Sequence, residues 1–421
     1  MRATSFPWPL LAALSWSPLA KAQVAPTTLD GGTPQPPPAP EELGSLTLAA
    51  TGDIMMHEAV KQAAAANGFA ALFAQVTRAL QAADVAFGNL ETPVAPNANR
   101  GTKAFLFNAP INLLPALKAA GFGIVSFANN HAYDQGSTGL VETIANLTAA
   151  ALPELGAGRT RAEALTPVIV ERHGVKVGFL GCTARFNNNL NSTDPKKPFV
   201  VPADAEVVAP AVAALAKTVD AVVVSVHWGN EYESEPAPEQ VAFAQKLVEA
   251  GALVVLGSHP HVLQRIELFP APDGRVALVA FSLGNFISNQ SRDFVEDLTP
   301  AAAADPRDGA LLQLTLRKRR YAGGQVRTEV TNAEALPLWT DNNALPRKRQ
   351  PKLPPDIHVV DLRRELRDDR DALLPLAAPG AALDERQRHR ALELQQRIEL
   401  LSQQLVRISE RLGGGYVAPG L

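Results

Sequence analysis

From Leu46 onward, short apolar runs alternate with longer stretches of helical periodicity. Leu46-Thr47-Leu48-Ala49-Ala50, Asp84-Val85-Ala86-Phe87, Ile124-Val125-Ser126-Phe127, Ala252 to Leu256 and Val276 to Ser282 predict strands. Asp220 to Val226 reads as a buried strand. Between them, helices are predicted over Glu58 to Leu80 (interrupted at Asn67-Gly68), Leu114 to Ala120, Gly139 to Ala151 and Pro238 to Ala250. Pro115 is tolerated in the first turn of its helix, and Gly121 ends it. Pro167 to Cys182 predicts a hairpin turning at His173-Gly174. Alternation of β and α elements implies a layered α/β domain.

The two ends break this rhythm. Arg2, an apolar Phe6 to Leu19 interrupted by three prolines, and Ala20-Lys21-Ala22 predict a signal peptide over 1–22. The expected address is therefore exported, in the periplasm or at the cell surface. Residues 23–44, with prolines at 34, 36, 37, 38 and 40, predict a Pro-rich linker. The main domain is expected over 45–340 and a tail over 341–421. Within that tail a helix is predicted over 385–412. There Ala391, Leu394, Ile398, Leu401, Leu405, Ile408 and Leu412 form a heptad stripe. The stripe fits a helix packed on its own domain, or a short coiled coil through which the chain self-associates.

Composition narrows the function classes. With 39 basic and 42 acidic residues, the formal charge of -3 gives nucleic acid or an anionic membrane no electrostatic footing. A single cysteine, Cys182, excludes an intramolecular disulfide and a Cys-rich zinc site. Its apolar surroundings predict a small buried hydrophobe.

The candidate chemistry lies just after the strands. Five polar clusters follow them: Gly52-Asp53-Ile54-Met55-Met56-His57, Gly88-Asn89-Leu90-Glu91, Asn129-Asn130-His131, His227-Trp228-Gly229 and Gly257-Ser258-His259-Pro260-His261. In open α/β sheets, C-terminal strand ends share one edge and bind ligands there. Imidazoles and carboxylates are divalent-metal ligands, and a carboxylate can bridge two ions. Pro260 is expected to hold His259 extended, turning both imidazoles of the pair to one side. His57, four residues past Asp53, reaches the same ion if the chain turns after the strand. Glu231, Glu233 and Glu235 read as a solvated acidic loop. His173, His358 and His389 fall outside the clusters.

Taken together, these motifs resemble the CapA family of bacterial capsule or poly-γ-glutamate synthesis proteins, which is related to calcineurin-like metallophosphoesterases. The resemblance rests on Gly52-Asp53-x3-His57, Asn89-Leu90-Glu91-Thr92-Pro93, Ala128-Asn129-Asn130-His131-x2-Asp134-x-Gly136, His227-Trp228-Gly229-x-Glu231-Tyr232, Gly257-x-His259-Pro260-His261 and Ser282-Leu283-Gly284-Asn285-Phe286. It implies a metallophosphoesterase-like four-layer αββα sandwich, here with a C-terminal helical extension. It also implies two divalent metal ions, Mn, Fe or Zn. Asp53, His57 and His261 would bind the first, Asn130, His227 and His259 the second, with Glu91 bridging. His131 and Asp134 would be catalytic, His131 as general acid and a metal-bound hydroxide as nucleophile. Two offsets depart from the superfamily: His57 stands two residues beyond the usual Asp-x-His, and Gly88-Asn89 replaces Gly-Asp.

The implied function is a metal-dependent hydrolase or transferase acting on an envelope polymer such as poly-γ-glutamate, beside membrane-bound synthase components. Two alternatives stay open. One is a non-catalytic assembly or export factor. The other is a secreted phosphoesterase unrelated to capsule, with Arg159 or Arg185 as phosphate anchor.

Overall fold

Glu41–Ile54 is the strand on which the first sheet is arranged. On one side it pairs in parallel with Val85–Leu90, which leads through Phe122–Ser126 to Glu154–Leu155. On the other it pairs antiparallel with Asp308–Arg320, followed by Val326–Asn342 and Ile357–Asp361. Asn285–Ile287 adds a short parallel pairing at Asp53 and Ile54. The second sheet runs in the order Leu263–Pro270, Val276–Leu283, Val254–Ser258, Ala221–His227, Val175–Thr183 and Val168–Arg172. Its four middle strands are parallel and its outer two antiparallel to their neighbours. These relations come from a computed structural model that describes residues 39–98, 105–295, 298–378 and 382–417. The predicted signal peptide and most of the predicted linker lie outside the described residues.

Alternation along the strands makes the layers. Leu46, Leu48 and Ala50 of the first sheet share one core with Val223, Val254, Leu256, Leu278 and Ala280 of the second. Their neighbours point the other way. Ala49, Ala86 and Val125 pack under the helices Glu58–Asn67 and Leu113–Ala120. Val222, Val224, Val255 and Phe281 pack under Ala205–Leu215 and Pro238–Ala250. Helices therefore cover both outer faces, and the architecture is the expected αββα sandwich. Cys182 is fully buried, as its surroundings predict, and burial pushes its thiol far up.

The domain is longer at both ends than the sequence pattern suggests. The first strand starts at Glu41, inside the predicted linker, and Glu41 and Glu42 pair with Arg320 and Arg317 at 2.7 and 2.9 Å. Past 340 the chain is integral to the sheet, because Ile357–Asp361 pairs with Val326–Asn342. The Asp308–Arg320 and Val326–Asn342 hairpin escapes prediction because its far half is charged on the solvent side. The C-terminal helix, Glu385–Leu412, starts on an Asp384–Gln387 capping box and stops at left-handed Gly413. Its Leu401, Ile408 and Leu412 join the core between the sheets, so the heptad stripe packs on its own domain. Arg397 binds Asp341, Glu365 and Asp369 at 3.0, 2.8 and 2.9 Å, and Arg411 reaches Asp305 at 2.8 Å. Among the described residues no helix is long and apolar enough to cross a membrane.

Candidate metal centre

Parallel register carries the polar clusters to one edge. Asp53 stands opposite Asn89, Asn89 opposite Ser126, and Ser258 opposite His227. Gly52 is required by close approach, since a Cβ there would lie 1.8 Å from the Gly284 carbonyl oxygen. The same oxygen accepts the Asp53 N–H at 3.0 Å.

Glu91 is at the middle. Its Oε1 lies 3.8 Å from His227 Nε2, 3.8 Å from His261 Nε2 and 3.9 Å from His131 Nε2. That oxygen is buried and has no hydrogen-bond partner. Two clusters of ligand atoms, each within 4.8 Å, share this carboxylate: Asp53, Glu91 and His261, and Glu91, His227 and His259. Asn130 Oδ1 adds to the second, 3.0 Å from His227 Nε2. Asp53 Oδ2 is 3.1 Å from His261 Nδ1. An orphaned carboxylate oxygen amid imidazoles costs free energy that a cation would remove. The donors are mixed oxygen and nitrogen, which suits first-row divalent ions. These residues fit a two-ion centre.

Burial and mutual repulsion tune the same groups. Burial, then the Asp53 carboxylate, pushes Glu91 well above the usual carboxylate range. Burial, then neighbouring imidazoles, pulls His227 well down and His259 to about 3. Both histidines are therefore neutral at pH 7, the form in which an imidazole can bind a metal. His259 Nδ1 is buried without a partner, like Glu91 Oε1.

Three expectations change in detail. His259 is not extended, since its φ is 96° and that of His261 is 60°. A sharp bend after Val254–Ser258, not an extended strand, turns both rings to the centre. His57 stays out of both shared clusters. The strand ends at Ile54, Met55 N–H pairs with Ile287 O at 2.9 Å, and His57 precedes the helix that starts at Glu58. His57 Nδ1 accepts the Asn289 N–H at 3.2 Å, and its ring meets Phe107 edge-on. Glu231, read as solvated, brings a carboxylate oxygen within 4.8 Å of His259 and His261.

Beside the centre, His131 Nδ1 lies 2.8 Å from Asp134 Oδ2, and its ring rests on Phe107 with centroids 4.3 Å apart. Asparagines that the sequence reading left without roles hold the rest. Asn89 Nδ2 donates to Asp53 Oδ1 at 2.8 Å, Asn129 Nδ2 to Asn89 Oδ1 at 3.2 Å, and Asn285 Oδ1 lies 3.2 Å from His261 Nδ1. Their positions within the strand-end motifs were the available signal. Arg185 Nε donates to Gly229 O at 2.7 Å, and its charge helps depress His227 and His259. Arg159 pairs with Glu163 at 3.2 Å. A groove of about 1090 Å³ is lined by His57, Phe107, Tyr232, Lys61 and Arg292, and reaches the centre through Phe107, 4.3 Å from the His131 ring, and Tyr232, 6.2 Å from the His261 ring.

Comparison with known proteins adds a lineage. Residues 47–290 match the family described as bacterial capsule synthesis protein PGA_cap. The chain is 31% identical to the PGA biosynthesis protein CapA of Bacillus subtilis (strain 168) over 306 residues, covering 72% of this chain and 76% of that one. It is 33% identical to the capsule biosynthesis protein CapA of Bacillus anthracis over 253 residues, covering 58% and 60% respectively. Among solved structures, it is similar to NAD nucleotidase from Haemophilus influenzae, with a TM-score of 0.44, 14% identity, and 87% of this chain against 60% of that one. The chain thus spans less than two thirds of both the B. anthracis protein and the nucleotidase.

Proposed function

This chain belongs to the bacterial capsule synthesis protein family, and we propose that it is a two-metal hydrolase or transferase acting on an anionic envelope polymer of the poly-γ-glutamate kind. The observation that carries this reading is the buried Glu91 carboxylate, shared between two clusters of ligand atoms and with its Oε1 left without a hydrogen-bond partner. Asp53 and His261 would hold one ion, His227, His259 and Asn130 the other, and Glu91 both. Bound ions would supply Lewis acidity and lower the pKa of water near neutrality. His131 stands beside them with Asp134 behind its Nδ1, an arrangement suited to protonating a leaving group from Nε2. Asn89 and Asn285 hold the Asp53 carboxylate and the His261 imidazole in place. The open groove supports an extended substrate; its cations Lys61 and Arg292 are paired with Glu58 and Asp293 at 2.8 and 3.4 Å, pairs that a carboxylate of the polymer would have to exchange. The leader-like first residues support export, to the periplasm or cell surface.

Elemental analysis of the purified chain beside an Asp53→Ala, His259→Ala variant tests the centre. About two ions per chain, lost in the variant, are expected. Incubation of the loaded protein with poly-γ-glutamate should then change the polymer's length distribution. Ions without any change in polymer or phosphoester would sink the enzyme reading in favour of an assembly or export factor.

A further inference from the structure

Glu231 is the acidic group that the sequence reading dismissed, and its surroundings differ from those of its neighbours. Glu235 is paired with Arg265 at 3.1 Å. Glu231 is exposed, yet one carboxylate oxygen lies within 4.8 Å of ring nitrogens of His259 and His261, both buried. No cation and no hydrogen-bond donor of the protein among the described residues engages it. An exposed acid alone means little. Two further observations give this one direction.

The first is that the loop carrying Glu231 is held against the His259-Pro260-His261 bend. Tyr232 N–H donates to Pro260 O at 2.8 Å, and Tyr232 has a φ of 65°. A non-glycine residue keeps that conformation only where its surroundings impose it. Upstream, Arg185 bonds Gly229 O at 2.7 Å and Asn230 Oδ1 at 2.6 Å. Glu231 lies between these two anchors. The second observation is His259 Nδ1, a buried ring nitrogen with no partner. A nitrogen left so within a cluster of ligand atoms calls for a cation.

We propose that Glu231 is a further metal ligand, entering the centre from the solvent side, where its carboxylate lies within reach of both His261 of the first ion's set and His259 of the second's. This rests on the strand-end cluster being a metal centre. A carboxylate carried on an exposed loop occupies the outermost position of an ion whose other ligands are buried, where an incoming substrate oxygen can replace it. The ligand class is a first-row divalent ion that accepts mixed nitrogen and oxygen donors.

The test is titration of the metal-free, full-length chain with Co(II), followed by calorimetry and by the visible absorption of the bound ion. Glu231→Gln should bind at least one ion about 10-fold or more weakly, a loss seen already for groups that merely orient ligands. Its absorption spectrum should shift. Glu231→Asp keeps the charge but shortens the reach, so it too should weaken binding and shift the spectrum. Glu233→Gln removes the same charge two residues on and should leave both unchanged. Wild-type isotherms and spectra for Glu231→Gln would overturn the proposal. So would a Glu231→Asp protein indistinguishable from wild type, which would reduce Glu231 to a nearby charge. If wild type binds Co(II) and His261→Ala does not, either result removes only Glu231. If wild type binds none, the centre itself falls with it.

Discussion

Asp134 Oδ2 sits 2.8 Å from His131 Nδ1, and the same oxygen accepts the Phe107 N–H at 2.6 Å. The carboxylate is thus fixed from behind, and the imidazole it holds presents Nε2 to the Glu91 side, 3.9 Å from Oε1. If His131 moves a proton, its partner sets tautomer and orientation. Asp134→Asn should then lower turnover about 10- to 100-fold with bound metal unchanged. His131→Gln should cost about 10²- to 10⁴-fold. Turnover measured beside elemental analysis separates the roles: loss of metal in His131→Gln would make it a ligand instead of an acid.

Glu91 opposes the fold that holds it. Its pKa is raised by burial and by Asp53. Without metal, the folded chain holds this proton more tightly than the unfolded one. The stabilisation is therefore present below the ordinary carboxylate pKa and is lost as pH rises through the folded value. Glu91→Gln should melt about 2 °C or more higher than wild type when both are metal-free at neutral pH. It should also fail to take up its complement of ions. Calorimetric melts with and without added metal check both halves, and a metal-free variant that melts lower would contradict the argument.

The histidines act in the opposite sense. His57 and His259 are pulled from 6.5 to about 3, chiefly by burial, and His227 is pulled down likewise. The unfolded chain binds more protons than the folded one between these values. Stability of the metal-free protein should accordingly fall as pH drops from about 6.5 toward about 3. In Glu91→Gln the fall should be steeper, because the opposing carboxylate is gone. Denaturation midpoints at pH 7, 5.5 and 4.5 test this, and a flat profile would refute it.

Arg397 of the C-terminal helix gathers three carboxylates, Asp341 from a strand and Glu365 and Asp369 from the helix Leu362–Leu373. Its own charge is held more firmly than usual by Asp341 and Glu365, against the cost of its burial. Arg397→Ala leaves the acids facing one another and should cost about 1–3 kcal/mol of stability, less than a fully buried pair because water reaches the cluster. Urea unfolding checks the value, and Arg397→Lys should recover only part of the loss.

Much of this was readable before any coordinates. Parallel strands buried on both faces appear as runs such as Val222-Val223-Val224, and the polar residues that end them stand out against that background. Asp53, Glu91, His227, His259 and His261 were legible for that reason. His57 lies outside the shared clusters, against Phe107 and the Asn289 N–H, a placement its spacing from Asp53 does not reveal. Glu231 stands among similar acids in the sequence, and its reach to His259 and His261, with Tyr232 anchored on Pro260, sets it apart in the fold. The Asp308–Arg320 hairpin was missed because charged residues at its far end blur the period of two.

The matched family span ends at 290, but Asp308–Arg320 lies directly beside Glu41–Ile54 in the first sheet. A chain trimmed to that span would leave the strand bearing Asp53 as a bare edge, its row of free N–H and C=O groups open to pairing with other copies. The smallest soluble piece that keeps the site must therefore run through the last hairpin and the clasping helix, to about Gly413. Truncations made on sequence similarity alone should aggregate before they lose any chemistry.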